Sequence, residues 1–200
     1  MKQLQLILAA LVISLSGVAQ GKFQEIQHHK FFKVQADAGY ARPAGTGVKA
    51  GVLLALEPKV NLSDRISVGL RGEATAMARG GYSINNVTAD GEAGLGIAVL
   101  PTVDYYFTNR LVRPFVGAGA GVYNFVSVQA SSANNGSVTI PAVTRFGGML
   151  RAGVEIWHVR AGFHYNLVGK NGSINNNYFG FTIGLVFGGG VKDEYKGDDY

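Results

Sequence analysis

His164 and Asn166 stand two residues apart in Phe163-His164-Tyr165-Asn166, so a strand would place both on one face. A histidine beside a hydroxyl or thiol is the minimum for nucleophilic catalysis, and Asn166 supplies neither. The chain has no Cys, and no paired carboxylates or metal-spaced ligands stand out. His28-His29 lacks a third ligand nearby, short of what a zinc site requires. Gly117-Ala118-Gly119-Ala120-Gly121 misses the Gly-x-Gly-x-x-Gly spacing of a dinucleotide loop and runs on into Val122-Tyr123-Asn124-Phe125 as strand. The residues therefore point to no catalytic, metal or cofactor site, and to His164 as a structural residue.

The charges that remain share one face of a repeated pattern. Lys33 and Asp37 lie opposite Phe32, Val34, Ala36, Ala38 and Tyr40; Lys49 and Glu57 lie opposite Val48, Ala50, Val52, Leu54 and Leu56. Arg71 and Glu73 oppose Ile66, Val68, Leu70 and Ala74, and Asp104 opposes Leu95, Ile97, Val99, Val103 and Tyr105. Arg151 and Glu155 oppose Leu150, Ala152, Val154 and Ile156; Arg160 opposes Val159, Ala161 and Phe163. Phe179, Phe181, Ile183, Leu185 and Phe187 form a face with no charge at all. A period of two is the signature of strands. An apolar face repeated strand after strand needs an apolar medium outside, and a narrow barrel with charges inside supplies the rest. Asp37, Lys49, Arg71, Glu73, Asp104, Arg151, Glu155 and Arg160 are expected to form a lumen charge network, with Lys33 and Glu57 on the same face. Charges enclosed in a narrow lumen must pair, because an unpaired buried charge is costly.

The elements that would carry them are eight strands, near 32–40, 48–60, 65–77, 94–107, 115–128, 146–157, 159–168 and 179–187. The facing of the fifth is open. The expected fold is all-β: an eight-stranded antiparallel up-and-down transmembrane β-barrel. Connections after the second, fourth and sixth strands are short. Those after the third, fifth and seventh are longer and rich in Gly, Asn and Ser, as in barrels with short periplasmic turns and long outer loops. Pro101 falls inside the fourth strand and predicts a bulge or a broken ladder bond. Aromatics gather near strand ends, where interfacial girdles lie: Phe31, Tyr105, Tyr106, Phe107, Phe115, Trp157 and Phe187 at the short turns, and Tyr40, Tyr123, Phe125, Phe146, Tyr165 and Phe179 at the loops.

Met1-Lys2, an apolar run to Leu15 and Ser16-Gly17-Val18-Ala19 read as a secretory signal peptide over 1–19. Residues 20–30 read as a periplasmic lead-in, 31–188 as the barrel and 189–200 as a flexible periplasmic tail. The 200 residues include 29 Gly and only 16% charged residues, a profile that argues against disorder. The net charge of +5 is dispersed rather than gathered in the stripe that nucleic acid needs.

Leu56-Glu57-Pro58-Lys59-Val60 running into Ile66-Ser67-Val68-Gly69-Leu70-Arg71 resembles the small outer-membrane β-barrels of the OmpA/OmpX type, within them the barrel proteins common in Bacteroidetes. So does Asp104-Tyr105-Tyr106-Phe107 followed by Arg113-Pro114-Phe115 and the Gly117–Gly121 run. The resemblance spans nearly all of the expected mature chain. It implies a Gram-negative outer-membrane location with both termini periplasmic. It also implies contact with outer-membrane lipid and with the barrel-assembly machinery; Thr182-x-Gly184-x-x-Phe187 resembles the first part of that machinery's recognition signal. Some lipid A deacylases of this architecture carry His-x-Ser on a strand, where this chain has His164-Tyr165-Asn166. The expectation is a non-enzymatic monomer without cofactors, a structural or surface-interaction protein with a side-chain-filled lumen and an unidentified ligand at its loops. A small-solute channel and a lipid A-modifying enzyme are the alternatives; a lipocalin-like soluble barrel would show the inverse facing.

Overall fold

The computed structural model describes residues 29–44, 50–78, 82–84, 87–89, 93–126, 128–131, 137–140, 142–171 and 174–190. Two-residue periodicity organises them. Eight long strands, β1 (Phe32–Pro43), β2 (Gly51–Asn61), β3 (Ile66–Ala78), β4 (Ala93–Tyr106), β5 (Val112–Phe125), β6 (Val143–Ile156), β7 (Val159–Leu167) and β8 (Tyr178–Gly188), pair antiparallel with their neighbours. β1 also pairs with β8, from Lys33↔Gly188 to Pro43↔Tyr178, and the sheet closes into a barrel. Among the described residues there is no helix. Closure removes both edges of this sheet, so none of the eight barrel strands is left as an edge with an unpaired row of amides.

The facing follows the alternation. Ile183 is 58% exposed and Thr182 5%; Leu54 is 59% exposed and Leu53 fully buried. Among the described residues of the eight barrel strands, Arg42, near the loop end of β1, is the one charge on the outer face. The fifth strand, whose facing the sequence left open, turns Phe115, Gly117, Gly119, Gly121, Tyr123 and Phe125 inward and Val116, Ala118, Ala120 and Val122 outward. Tyr106, Phe115, Tyr123 and Phe125 are therefore no girdle residues: each is buried inside the barrel. Trp157, Phe107 and Phe187 at the short-turn end and Tyr40, Phe146 and Phe179 at the loop end do face outward.

The β2–β3 connection spans 62–65, β4–β5 spans 107–111, and β6–β7 reverses within Trp157-His158. Trp157 has φ +54°, a backbone region that costs an L-residue about 1–2 kcal/mol. The turn is tied down on both sides: Val186 N donates to His158 O at 2.8 Å, and His158 Nδ1 sits 2.8 Å from Val186 O. Three two-stranded ribbons extend the long connections: Tyr82–Ile84 with Val87–Ala89, Val128–Ser131 with Ser137–Ile140, and Lys170–Asn171 with Ile174–Asn175. Their strands are too short for a sequence period to reveal.

Pro101 breaks the ladder without a bulge. Pairing of β4 with β5 stops at Val99↔Val122 and resumes in unchanged register at Thr102↔Gly119. Pro58 does the same between β2 and β3, with pairing lost between Leu56↔Gly72 and Lys59↔Gly69. A missing N–H removes the bond, and closure on both flanks holds the register.

At the short-turn end the chain before β1 crosses the mouth. His29 N donates to Asp64 Oδ1 at 3.1 Å, Lys30 N to Gly190 O at 2.8 Å, and Asn61 N to Phe31 O at 2.7 Å. Gly188 and Gly189 have φ +77° and +63°, and this left-handed pair turns the chain so that Gly189 N reaches Phe32 O.

Candidate functional site

The lumen is where charged chemistry gathers. Six cations (Lys33, Lys59, Arg71, Arg113, Arg151, Arg160) and five carboxylates (Asp37, Glu57, Glu73, Asp104, Glu155) are buried there among the described residues. They form one connected network that runs along the barrel axis.

Glu155 on β6 anchors the short-turn end. Lys33 Nζ donates to both its oxygens at 3.0 Å, and Arg113 and Arg160 approach it at 3.3 Å. The Tyr106 hydroxyl accepts from Lys33 and Arg160 and donates to Glu155 at 2.8 Å. Aromatic faces hold the cations flat: the Arg160 guanidinium lies 3.4 Å from the Phe115 ring centre and that of Arg113 lies 4.0 Å from Tyr106.

Arg160 passes the network to the middle through Asp104 at 2.9 Å. Arg151 donates to Asp104 with Nε and to both oxygens of Glu57 with its terminal nitrogens, all at 2.7 Å. That is the two-pronged geometry in which guanidinium and carboxylate pair most strongly. Lys59 lies between the same two acids, and Thr102 Oγ1 donates to Glu57. Gly117 makes room: a Cβ there would strike the Asp104 carboxylate and the β4 backbone.

Arg71 carries the network onward. Its Nη1 is 2.7 Å from Asp37 and 3.4 Å from Glu57, and its Nε donates to Glu73 at 2.8 Å. Gln35 Nε2 donates to Asp37, and the Tyr178 hydroxyl donates to Glu73 at 2.6 Å. Beyond Tyr178 the lumen turns apolar. Leu53, Met77, Leu100, Tyr123, Phe125 and Met149 pack together across the loop end, and the Tyr123 hydroxyl donates to Asn166 at 2.7 Å.

The structure thus brings together Asp37, Arg71, Glu73, Asp104, Arg151, Glu155 and Arg160, with Lys33 and Glu57 beside them. Lys49 lies outside the described residues. Lys59, Arg113 and Tyr106 are network members that the charge reading did not name. Lys59 follows the inward Glu57 by two residues, so parity carried its signal; Arg113 precedes Phe115 by two on a strand whose facing only the structure decides.

His164 is 3% exposed and stacks over Gly180, where a Cβ would strike its ring. Its Nε2 is 3.6 Å from Glu73 Oε2, too far for a hydrogen bond. Asn166 beside it is fully buried. Among the described residues no cluster of His, Cys, Asp and Glu could hold a metal ion.

No family model matches this chain, and no curated protein matches it in sequence. Among solved structures the fold is similar to Neisserial surface protein A, with a TM-score of 0.58 and 18% identity over 80% of this chain and 98% of that one. The outer membrane enzyme PagL gives a TM-score of 0.42 and 15% identity, over 78% of this chain and 98% of that one. Ail, the attachment invasion locus protein of Yersinia pestis, gives 0.42 and 12%, over 80% and 99%. The likeness is one of fold: a small, closed, eight-stranded barrel of the outer-membrane kind.

Proposed function

We propose that this protein is a non-enzymatic outer-membrane barrel, a structural or surface-interaction protein whose lumen is plugged by its own side chains. One observation carries the reading: apolar residues face outward on all eight strands while the barrel charges, Arg42 near the loop end apart, face inward and the buried ones pair. Inverse facing of this kind suits a barrel surrounded by lipid and not by water. The fold shared with Neisserial surface protein A supports the same reading.

Outer-membrane lipid is then the partner of the band, and the barrel-assembly machinery its partner during biogenesis. Any surface ligand binds at the long loops, which a rigid scaffold presents. Lipid modification is disfavoured by the site itself. His164 is buried in the lumen, away from lipid, and position 166 offers an amide and no nucleophile. Conduction is disfavoured by a network that fills the middle and an apolar cluster that caps the loop end.

Fractionation with a heat-shift gel tests the location. The protein should partition with outer membranes, and the folded barrel should migrate differently before and after boiling. A chain recovered freely soluble, with no heat-dependent shift, would overturn the reading.

A further inference from the structure

We propose that the lumen binds one fixed water molecule, in a cavity lined from β1, β3, β5, β6, β7 and β8, as a built-in member of the charge network. The cavity measures about 10 Å³, room for one water. Gln35, Asp37, Arg71, His164, Gly162 and Thr182 are among the residues that line it.

Three of those residues bring an unpartnered polar atom that is shielded from bulk solvent: Gln35 Oε1, Arg71 Nη2 and His164 Nε2. Each residue is at most 3% exposed. Their orientations are fixed by other bonds. Gln35 Nε2 is held on the Asp37 carboxylate at 2.7 Å, which leaves Oε1 as an acceptor without a donor. Arg71 spends Nε on Glu73 and Nη1 on Asp37, which leaves Nη2 as a donor without an acceptor.

An orphaned acceptor and an orphaned donor on one cavity select a ligand that both donates and accepts. An anion would face Gln35 Oε1 and the Asp37 carboxylate. A cation would face Arg71, with Arg151 and Arg160 also on the wall. Water is neutral and amphiprotic, and buried waters typically make about three hydrogen bonds to groups of this kind. The room comes from small residues: Gly162 and Thr182 are cross-strand partners on β7 and β8.

A crystal structure of the intact barrel grown in bromide, with anomalous data, tests the identity of the ligand. The expected result is density within hydrogen-bond distance of Gln35 Oε1 or Arg71 Nη2 and no anomalous signal there. A bromide peak would overturn the proposal, as would an empty cavity in a map that resolves other interior waters. Gly162→Ala adds a second arm. A Cβ at Gly162 has no neighbour closer than 3.5 Å, so the methyl fits the protein and competes only with the water. Gly72→Ala, on the outer face with no neighbour closer than 3.8 Å, controls for the backbone effect of losing a glycine. Relative to that control, Gly162→Ala should lower the folded-to-unfolded ratio roughly tenfold, because displaced water leaves buried groups unpaired. A ratio equal to or above the control would mean that the methyl filled a dry void, and the proposal would fail.

Discussion

Glu57 is the residue on which the lumen turns. It pairs two-pronged with Arg151, touches Lys59 and Arg71, and accepts from Thr102. Buried pairs of this kind add little net stability over an apolar core, but removing one partner strands the other. Glu57→Ala should therefore destabilise the barrel by about 3–5 kcal/mol in a urea titration of the vesicle-embedded protein. A loss under 1 kcal/mol would mean that Arg151 finds water or a new acceptor. On the outer face the arithmetic differs. Ile183→Lys should cost about 2–4 kcal/mol, the range for Lys at the lipid midplane. Ile183→Val, which deletes one methylene in contact with lipid, should be near neutral; an Ile183→Lys cost no larger than that of Ile183→Val would contradict lipid facing. The inner charges were legible wherever they alternated with unbroken apolar runs. Arg113 falls outside the expected fifth strand, which begins only after Pro114; Lys59 lies inside the expected second strand and shares the parity of Glu57, so its place was legible. In the closed barrel Pro58 loses its pairing only with β3 and keeps Val34 on β1, and Pro114 pairs with Val154, so the alternation runs on past both.

Among elements, the glycine-rich middle of β5 shows why its facing could not be read in advance. Gly117, Gly119 and Gly121 alternate with Ala118 and Ala120, so neither face declares itself by polarity. The structure decides by volume: Asp104 and Arg151 occupy the space that a side chain at Gly117 would need. Gly117→Val should abolish refolding, while Ala118→Val on the outer face should be tolerated; refolding yields of the two variants check this. Failure of both alike would leave the volume argument without support. The segment before β1 behaves as a latch at the short-turn mouth, and it should respond to pH. Burial, with Arg113 nearby, lowers the His29 imidazole from 6.5 to about 4. Its docked form favours neutral histidine, so docking is at full strength above pH 6.5 and weakens as pH falls from there toward 4. The Lys30 amide, bonded to Gly190 O, reports on this state. Its hydrogen-exchange protection, corrected for intrinsic rate, should drop between pH 7 and pH 4.5, and the drop should vanish in His29→Ala. Unchanged protection across that range would contradict the latch.

For the whole molecule, the strand number, the closed antiparallel order and the two-faced pattern were all legible, because period-two alternation is local and survives in single strands. What was not legible needed three dimensions. Phe115, Tyr123 and Phe125 sit near strand ends like girdle aromatics, but they point inward, as Tyr106 does by its parity with Asp104. Tyr106 and Phe115 become the faces on which cations rest, and Tyr123 and Phe125 join the apolar cap. The capped, ion-paired interior is what separates a scaffold that presents loops from a pore that passes solutes. Planar-bilayer recording of the purified, folded barrel tests it most directly. A plugged lumen should leave the bilayer silent at neutral pH, with no stable single-channel steps. Steady, reproducible single-channel conductance from the unmutated protein would show an open path through the lumen and contradict it.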